Sequence, residues 1–298
     1  VTARIIDGRI ISSQIKDEVR AGAAALKRDR GVTPGLAFIL VGEDPASQVY
    51  VRSKGKACED MGFFSVTERL PADTPESVLL SIIRGFNVDP RIHGLLVQLP
   101  LPKHINEQRV IEAIDPTKDV DGFHPVNVGK LVIGQPCLRP CTPAGVQEML
   151  IRSNIDPSGK HVVIVGRSNI VGKPMANIMV QKQKGANAAV TVVHTGMADY
   201  VPFVRSADIV IAAVGKAEMI HGSMLKPGCV VMDVGINRIA DPSAKTGTRL
   251  VGDVHFASAS EVASAITPVP GGVGLMTIAM LMKNTLEAAT IASQADFR

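Results

Sequence analysis

The sequence predicts an α/β protein: two α/β lobes around a cleft, the second a Rossmann-like parallel sheet. Three observations carry this. Short apolar runs alternate with amphipathic stretches along most of the 298 residues. A Pro- and Gly-punctuated segment from Asp115 to Pro143 interrupts the alternation. Beyond it, His161-Val162-Val163-Ile164-Val165 runs into a glycine turn and then a helical pattern.

The elements follow in order. A helical pattern spans Ile10–Arg30. Strands Leu36–Val41, Phe63–Glu68 and Gly94–Leu99 are each followed by a helix: Pro45–Met61, Pro75–Phe86 and Glu107–Ile114. Helix Pro143–Asn154 leads to strand His161–Val165 and helix Gly172–Lys184, then strand Ala189–His194 and helix Met197–Ser206. Strands Asp208–Val214 and Val230–Val234 come next, and a last helix covers roughly Met276–Ser293. A short apolar strand followed by a helix, repeated, means parallel strands covered on both faces.

Helical periodicity fails between Asp115 and Pro143, where Pro116, Pro125, Pro136, Pro140 and Pro143 fall among glycines. A second punctuated stretch is Thr267-Pro268-Val269-Pro270-Gly271-Gly272-Val273-Gly274. The expected domains are 1–141 plus 275–298, with the final helix crossing back, and 142–274.

Composition excludes several classes. Lys+Arg number 32 against 28 Asp+Glu, a net +4 with no basic block. With no Trp and two Tyr, the chain lacks stacking platforms, so no nucleic-acid partner is expected. An apolar content of 46% with low net charge rules out a disordered chain. The stretch Val273 to Met282 is broken by Gly274 and Thr277 and stops at Lys283, too short for a membrane span. The start, Val1-Thr2-Ala3-Arg4, has no signal-peptide core and no initiator Met, so an upstream piece is expected to have been removed. Cys58, Cys137, Cys141 and Cys229 make neither a CxxC pair nor a Cys/His zinc pattern. Reduced thiols and no metal are expected, in the cytoplasm or, after loss of a transit peptide, the mitochondrial matrix.

The turn after Val165 reads Gly166-Arg167-Ser168-Asn169-Ile170-Val171-Gly172-Lys173-Pro174. A glycine turn at a helix N-terminus suits a pyrophosphate: the backbone approaches closely, and free N–H groups and the dipole face the anion. Ser168 stands where the middle glycine of G-x-G-x-x-G belongs, and a tight turn in any doubly wound domain would read alike. An NAD site places an acid at the end of the next strand. Here that strand ends Val193-His194-Thr195. Arg167, Ser168, His194 and Thr195 suit a 2′-phosphate, so NADP is favoured over NAD.

Ser47, Tyr50 and Lys54 are spaced three and four apart, one face of a helix. An isolated Tyr/Lys pair is ordinarily an exposed amphipathic face with a snorkelling Lys. It also mimics the short-chain dehydrogenase pair, but there the cofactor turn comes first, and here Tyr50 precedes Gly166. Gln98 ends a buried strand, where open α/β sheets bind ligands. Asp115-Pro116-Thr117-Lys118-Asp119-Val120-Asp121-Gly122 adds carboxylates in a loop, which ordinary turn chemistry also explains.

Together these segments closely resemble the bifunctional methylenetetrahydrofolate dehydrogenase/methenyltetrahydrofolate cyclohydrolase family. The resemblance runs from about Ile5 to the final helix. It rests on Tyr50 to Lys56, Val97 to Pro102, Asp119-Val120-Asp121-Gly122, Gly166 to Pro174, Asp233 to Asn237 with Ile236 on the cofactor side, and Thr267 to Gly274, in the family's order. It implies NADP-dependent oxidation of 5,10-methylenetetrahydrofolate and hydrolysis of the methenyl cation to 10-formyltetrahydrofolate. It also implies a homodimer joined through the cofactor domains and no metal. No appended formate–tetrahydrofolate ligase domain is expected in this length.

The resemblance casts Lys54, Gln98 and Tyr50 as catalytic. A neutral Lys54 accepts a proton, and burial beside a cationic substrate favours that neutral form. Gln98 orients Lys54. Asp121 accepts from the pterin N–H and amino group, Tyr50 lies against a folate ring, and Ser47 supports them. Pro270, Gly271 and Gly274 line the substrate side, with Leu275 in place of a usual proline and a loop expected to be less rigid. Gly166, Arg167, Ser168, Gly172, His194, Thr195 and Ile236 hold the cofactor. Two other readings are an NAD-dependent, dehydrogenase-only relative and a non-catalytic folate- or nucleotide-binding module.

Overall fold

The structure, a computed structural model, describes residues 2–244 and 247–295. The chain starts with strand β1 (Arg4–Ile5) and helix α1 (Gly8–Arg30). Strands β2 (Gly35–Val41), β3 (Phe64–Leu70) and β4 (Gly94–Val97) alternate with helices α2 (Pro45–Asp60), α3 (Glu76–Val88) and α4 (Glu107–Ala113). Helices α5 (Pro125–Val132) and α6 (Cys141–Arg152) follow. Then come β5 (His161–Val165), α7 (Gly172–Met179), β6 (Ala189–Val193), α8 (Val201–Ser206), β7 (Ile209–Ala212) and β8 (Val230–Asp233). The antiparallel pair β9 (Asn237–Ala240) and β10 (Thr248–Val251), short α9 (Phe256–Ser260), β11 (Ala265–Ile266) and α10 (Gly274–Ala295) complete the order.

The chain divides into two compact units. One joins Gln14–Cys141 to Ile278–Arg298, and the other joins Val1–Ser13 to Thr142–Thr277. The first thirteen residues therefore group with the second unit, where the sequence reading assigns them to the first lobe. The cause is strand pairing: Arg4 and Ile5 lie parallel to Ala265 and Ile266.

The first unit holds a three-stranded parallel sheet in the order β3-β2-β4. Its centre, Gly35-Leu36-Ala37-Phe38-Ile39-Leu40-Val41, is buried throughout, as a strand covered on both faces must be. Each large apolar side chain buried there contributes about 1.5–3 kcal/mol. The second unit holds a parallel sheet in the order β1-β11-β8-β7-β5-β6. Successive connections from β5 go first to β6 on one side and then to β7 on the other. That reversal opens a ligand crevice at the carboxyl ends of β5 and β7.

Four differences from the sequence reading have local causes. Helix α5 forms inside the segment expected to lack helix, because Pro125 is its first residue rather than a breaker. The His124 side chain caps it by accepting from the Val126 N–H at 3.1 Å. Helix α7 stops at Met179 instead of Lys184; the chain then turns back through Gly185 and Asn187, both at positive φ. Helix α8 starts at Val201, after Asp199 has accepted the Val201 N–H at 2.9 Å. Strands β1 and β11 have two residues each, too few for a period-two pattern.

Candidate active site

In the first unit, helix α2 is set by its N-terminus. Asp44 accepts the Ser47 N–H at 2.7 Å, and Pro45 occupies the first turn. One helical face then carries Ser47 (3% exposed), Tyr50 (48% exposed) and Lys54 (8% exposed). Lys54 is thus a buried amine, not the snorkelling Lys of an ordinary surface helix. Its Nζ donates to Gln98 Oε1 at 2.9 Å. Gln98 is itself oriented: it follows β4, its N–H donates to the Ile39 carbonyl, and its Nε2 donates to the Leu99 carbonyl at 2.8 Å. A hydrogen bond with one charged partner contributes roughly 1.5–3 kcal/mol.

The loop after α4 runs beside β4. Leu95 donates its N–H to the Lys118 carbonyl and bridges in parallel to Asp119, which brings Asp121 toward the sheet end that carries Gln98. The two carboxylates then divide their work. Asp119 is buried and ties down the loop, accepting from Gly122 N–H (3.1 Å), His124 N–H (2.8 Å) and Asn127 Nδ2 (2.9 Å). Asp121 is pushed up to about 6 by burial, with Lys54's charge opposing the shift and Asp119's adding to it. Cys141 is buried in the same field, its thiol raised well above the usual range by burial and by Asp121. A groove of about 1030 Å³ in this unit, lined by Thr33, Phe64, His93, Lys118 and Leu138, lies at the opposite, amino end of the strands and contains none of these site residues.

In the second unit, the turn after β5 is built for close backbone approach. Gly166 has φ +134°, and a Cβ there would sit 2.1 Å from the Ala213 carbonyl oxygen. Gly172 packs on Gly166 and starts α7. Ser168 Oγ accepts the N–H groups of Val171 (3.1 Å) and Gly172 (3.3 Å), leaving its own proton to donate. His194 Nδ1 accepts the Gly196 N–H at 3.1 Å, and Arg167 Nη2 and the His194 ring both border Gly196. Arg167 and Thr195 are exposed beside them, with no carboxylate among the residues ending β6. This set fits a phosphorylated ribose. Pro270, Gly271 and Gly274 belong to this unit too. Ile236, half-exposed, presses its Cδ1 to 2.8 Å from where a Gly274 Cβ would stand. Leu275 donates its N–H to the Gly272 carbonyl at 3.3 Å, a bond that a proline there could not make, so the departure adds a tether to the loop.

Two family models cover most of the chain. Residues 6–121 match the catalytic domain of tetrahydrofolate dehydrogenase/cyclohydrolase, and residues 140–293 match its NAD(P)-binding domain. The chain belongs to the tetrahydrofolate dehydrogenase/cyclohydrolase family. A bifunctional protein FolD from Chlorobium phaeovibrioides is 57% identical over 286 residues, 95% of this chain and 97% of its own length. The FolD crystal structure from Campylobacter jejuni superposes with a TM-score of 0.91 at 45% identity, covering 97% of this chain and 99% of that one. The FolD enzyme of Trypanosoma brucei, solved with NADP cofactor and an inhibitor, has a TM-score of 0.91 at 40% identity, with 98% of each chain covered.

Within this family chain, Ser47, Tyr50, Lys54, Gln98 and Asp121 all fall in one unit, and every expected cofactor residue falls in the other. Sequence reasoning missed the work of Asp119, Asp233 and Asp253. Asp119 and Asp233 stand in motifs the sequence singles out and Asp253 does not, but what each carboxylate accepts, from loop N–H groups and the Asn127 and Asn237 amides, shows only in the folded chain. Tyr200 gains a place: it precedes α8 and packs against the core of the cofactor unit. All four cysteines are free thiols. Among the described residues no helix is long and apolar enough to cross a membrane.

Proposed function

We propose that the chain oxidises 5,10-methylenetetrahydrofolate to the methenyl cation with NADP+ and hydrolyses that cation to 10-formyltetrahydrofolate. The observation that carries this is the buried Lys54 held by Gln98 in the field of Asp121. A binding module has no need of a buried, oriented lysine amine.

Bound NADP+ supplies the hydride acceptor. The chain's residues bind and orient, because a departing hydride needs no protein base. Asp121 accepts from the pterin N–H and amino group as a charged, two-point acceptor. Tyr50 offers its exposed ring face to the folate, and Ser47 supports the same face of α2. Water then adds to the methenyl carbon. Lys54, when neutral, takes one proton from that water and delivers it to N5 as the carbon–N5 bond breaks. The second water proton leaves to solvent, and the formyl group stays on N10. Gln98 keeps Nζ aimed throughout.

In the cofactor unit, Gly166 and Gly172 admit the pyrophosphate, and Arg167, Ser168, His194 and Thr195 take the 2′-phosphate. Ile236 borders the cofactor. Pro270, Gly271 and Gly274 border the substrate. The working assembly in this reading is a cytoplasmic homodimer joined through the cofactor domains, and light scattering on the purified protein tests it.

An absorbance assay with methylenetetrahydrofolate, supplying NADP+ or NAD+ separately, tests the function. NADPH formation without build-up of methenyl product is expected. Methenyl accumulation leaves only a dehydrogenase, and no turnover with either cofactor removes the enzyme reading.

A further inference from the structure

Two buried carboxylates outside the folate site tie together the loops of the cofactor edge. Asp253 is fully buried and Asp233 is 3% exposed. Asp253 Oδ2 accepts the N–H groups of Val214 (2.5 Å) and Gly215 (2.9 Å), and its Oδ1 accepts from Lys216 N–H (3.0 Å) and Asn237 Nδ2 (2.8 Å). Asp233 answers in the other direction. Its Oδ1 accepts from Gly235 N–H (3.0 Å) and Asp253 N–H (2.9 Å), and its Oδ2 from Val254 N–H (2.9 Å). Asp233 thus holds the backbone that carries Asp253, and Asp253 reaches back to the Asn237 side chain on the loop that follows Asp233.

Two glycines make room for this exchange. A Cβ at Gly252 would stand 1.8 Å from Asp233 Oδ2, and one at Gly235 would stand 2.2 Å from Asp253 Oδ1. Burying a carboxylate is costly unless donors surround it, and here seven hydrogen bonds do so.

The loops held this way are the ones leaving the carboxyl ends of β7 and β8. The first continues from Ala213, whose carbonyl abuts Gly166 in the pyrophosphate turn; the second contains Ile236, which abuts Gly274. We propose that Asp253, backed by Asp233, is a positioning residue for NADP+: it fixes the 213–216 and 235–237 loops at the spacing the cofactor needs. This rests on the NADP+ reading above. It confines the effect to cofactor binding and hydride transfer, because the hydrolytic residues Lys54 and Gln98 belong to the other unit.

Asp253→Asn keeps the shape but sets an amide donor against backbone donors. Calorimetry should find NADP+ binding to the variant weakened about tenfold or more, the loss expected when one buried acceptor is withdrawn. The KM for NADP+ should rise in parallel, while methenyltetrahydrofolate hydrolysis and the KM for the folate stay within about twofold. Unchanged NADP+ affinity, or an equal loss of hydrolysis in the folded variant, overturns the proposal. Asn237→Ala removes a single donor and serves if Asp253→Asn does not fold. It should weaken NADP+ about threefold or more with hydrolysis intact, and unaltered NADP+ affinity there also overturns the proposal. Wild-type protein that neither binds NADP+ nor turns over would instead defeat the functional reading itself.

Discussion

Lys54 Nζ donates a 2.9 Å hydrogen bond to Gln98 Oε1, joining helix α2 to the end of strand β4. In the proposed reading the pair gives the hydrolytic step a proton carrier fixed in place. Lys54→Met keeps the apolar stem and removes the amine. Cyclohydrolase activity should fall by about 10²–10⁴, the usual range for general acid–base catalysis, with measurable dehydrogenase left. Separate assays of methenyl hydrolysis and NADPH formation check this. Equal loss of both would assign Lys54 to folding or binding instead.

Gln98→Lys tests orientation rather than proton transfer. A second cation would replace the acceptor and repel Lys54. Hydrolysis should drop at least about tenfold at neutral pH, since one charged hydrogen bond is lost and a repulsion gained. Undiminished hydrolysis in the folded variant would show that the contact is incidental.

Asp121 carries a sign-definite pH dependence. Its value in the fold is about 6, above the 3.8 of an ordinary Asp. The folded state therefore holds this proton more tightly than the unfolded one, so its contribution to stability is greatest below about pH 4 and is lost as pH rises through 6. Asp121→Asn should raise the melting temperature at about pH 8 and leave it unchanged near pH 4. If Asp121 holds the pterin as proposed, recognition needs the ionised form, and the wild-type folate KM should climb as pH falls through 6. The variant's should be high and flat. A wild-type KM that ignores pH in this window would remove Asp121 from pterin binding.

The chain has two tyrosines and no tryptophan. Tyr50 is half-exposed on α2, and Tyr200 is partly buried against the other unit's core. Folate binding should perturb about half of the tyrosine emission if Tyr50 stacks on the ligand. Tyr50→Phe should abolish that response while Tyr200→Phe retains it. A response that survives Tyr50→Phe would place the folate elsewhere.

Arg167 gives the cofactor unit its test of NADP against NAD. Arg167→Ala should raise the KM for NADP+ by roughly tenfold to a hundredfold, the worth of a charged hydrogen bond or two. The KM for NAD+ should barely move. A parallel rise for both cofactors would mean that Arg167 serves the shared pyrophosphate rather than the 2′-phosphate.

Much of the molecule was legible one segment at a time. Strand His161–Val165 matches its expected bounds, and the Tyr50, Lys54 and Gln98 positions fall where a helix face and a strand end put them. Other segments misled for local reasons. Pro125 reads as a breaker until His124 is seen capping the helix it starts. The acidic loop shows several carboxylates of similar promise. Only their hydrogen bonds separate Asp119, whose oxygens hold the loop, from Asp121, whose charge faces Lys54.

The sequence by itself determined the fold class, the glycine turn and the family, because apolar periodicity and motif order are properties of neighbouring residues. The tertiary structure decided which unit receives β1, which aspartate meets the lysine, and how Asp233 and Asp253 clasp the cofactor loops. Those outcomes depend on hydrogen bonds and charge contacts between residues tens to hundreds of positions apart. A buried charge finds its donors only when the chain has closed around it.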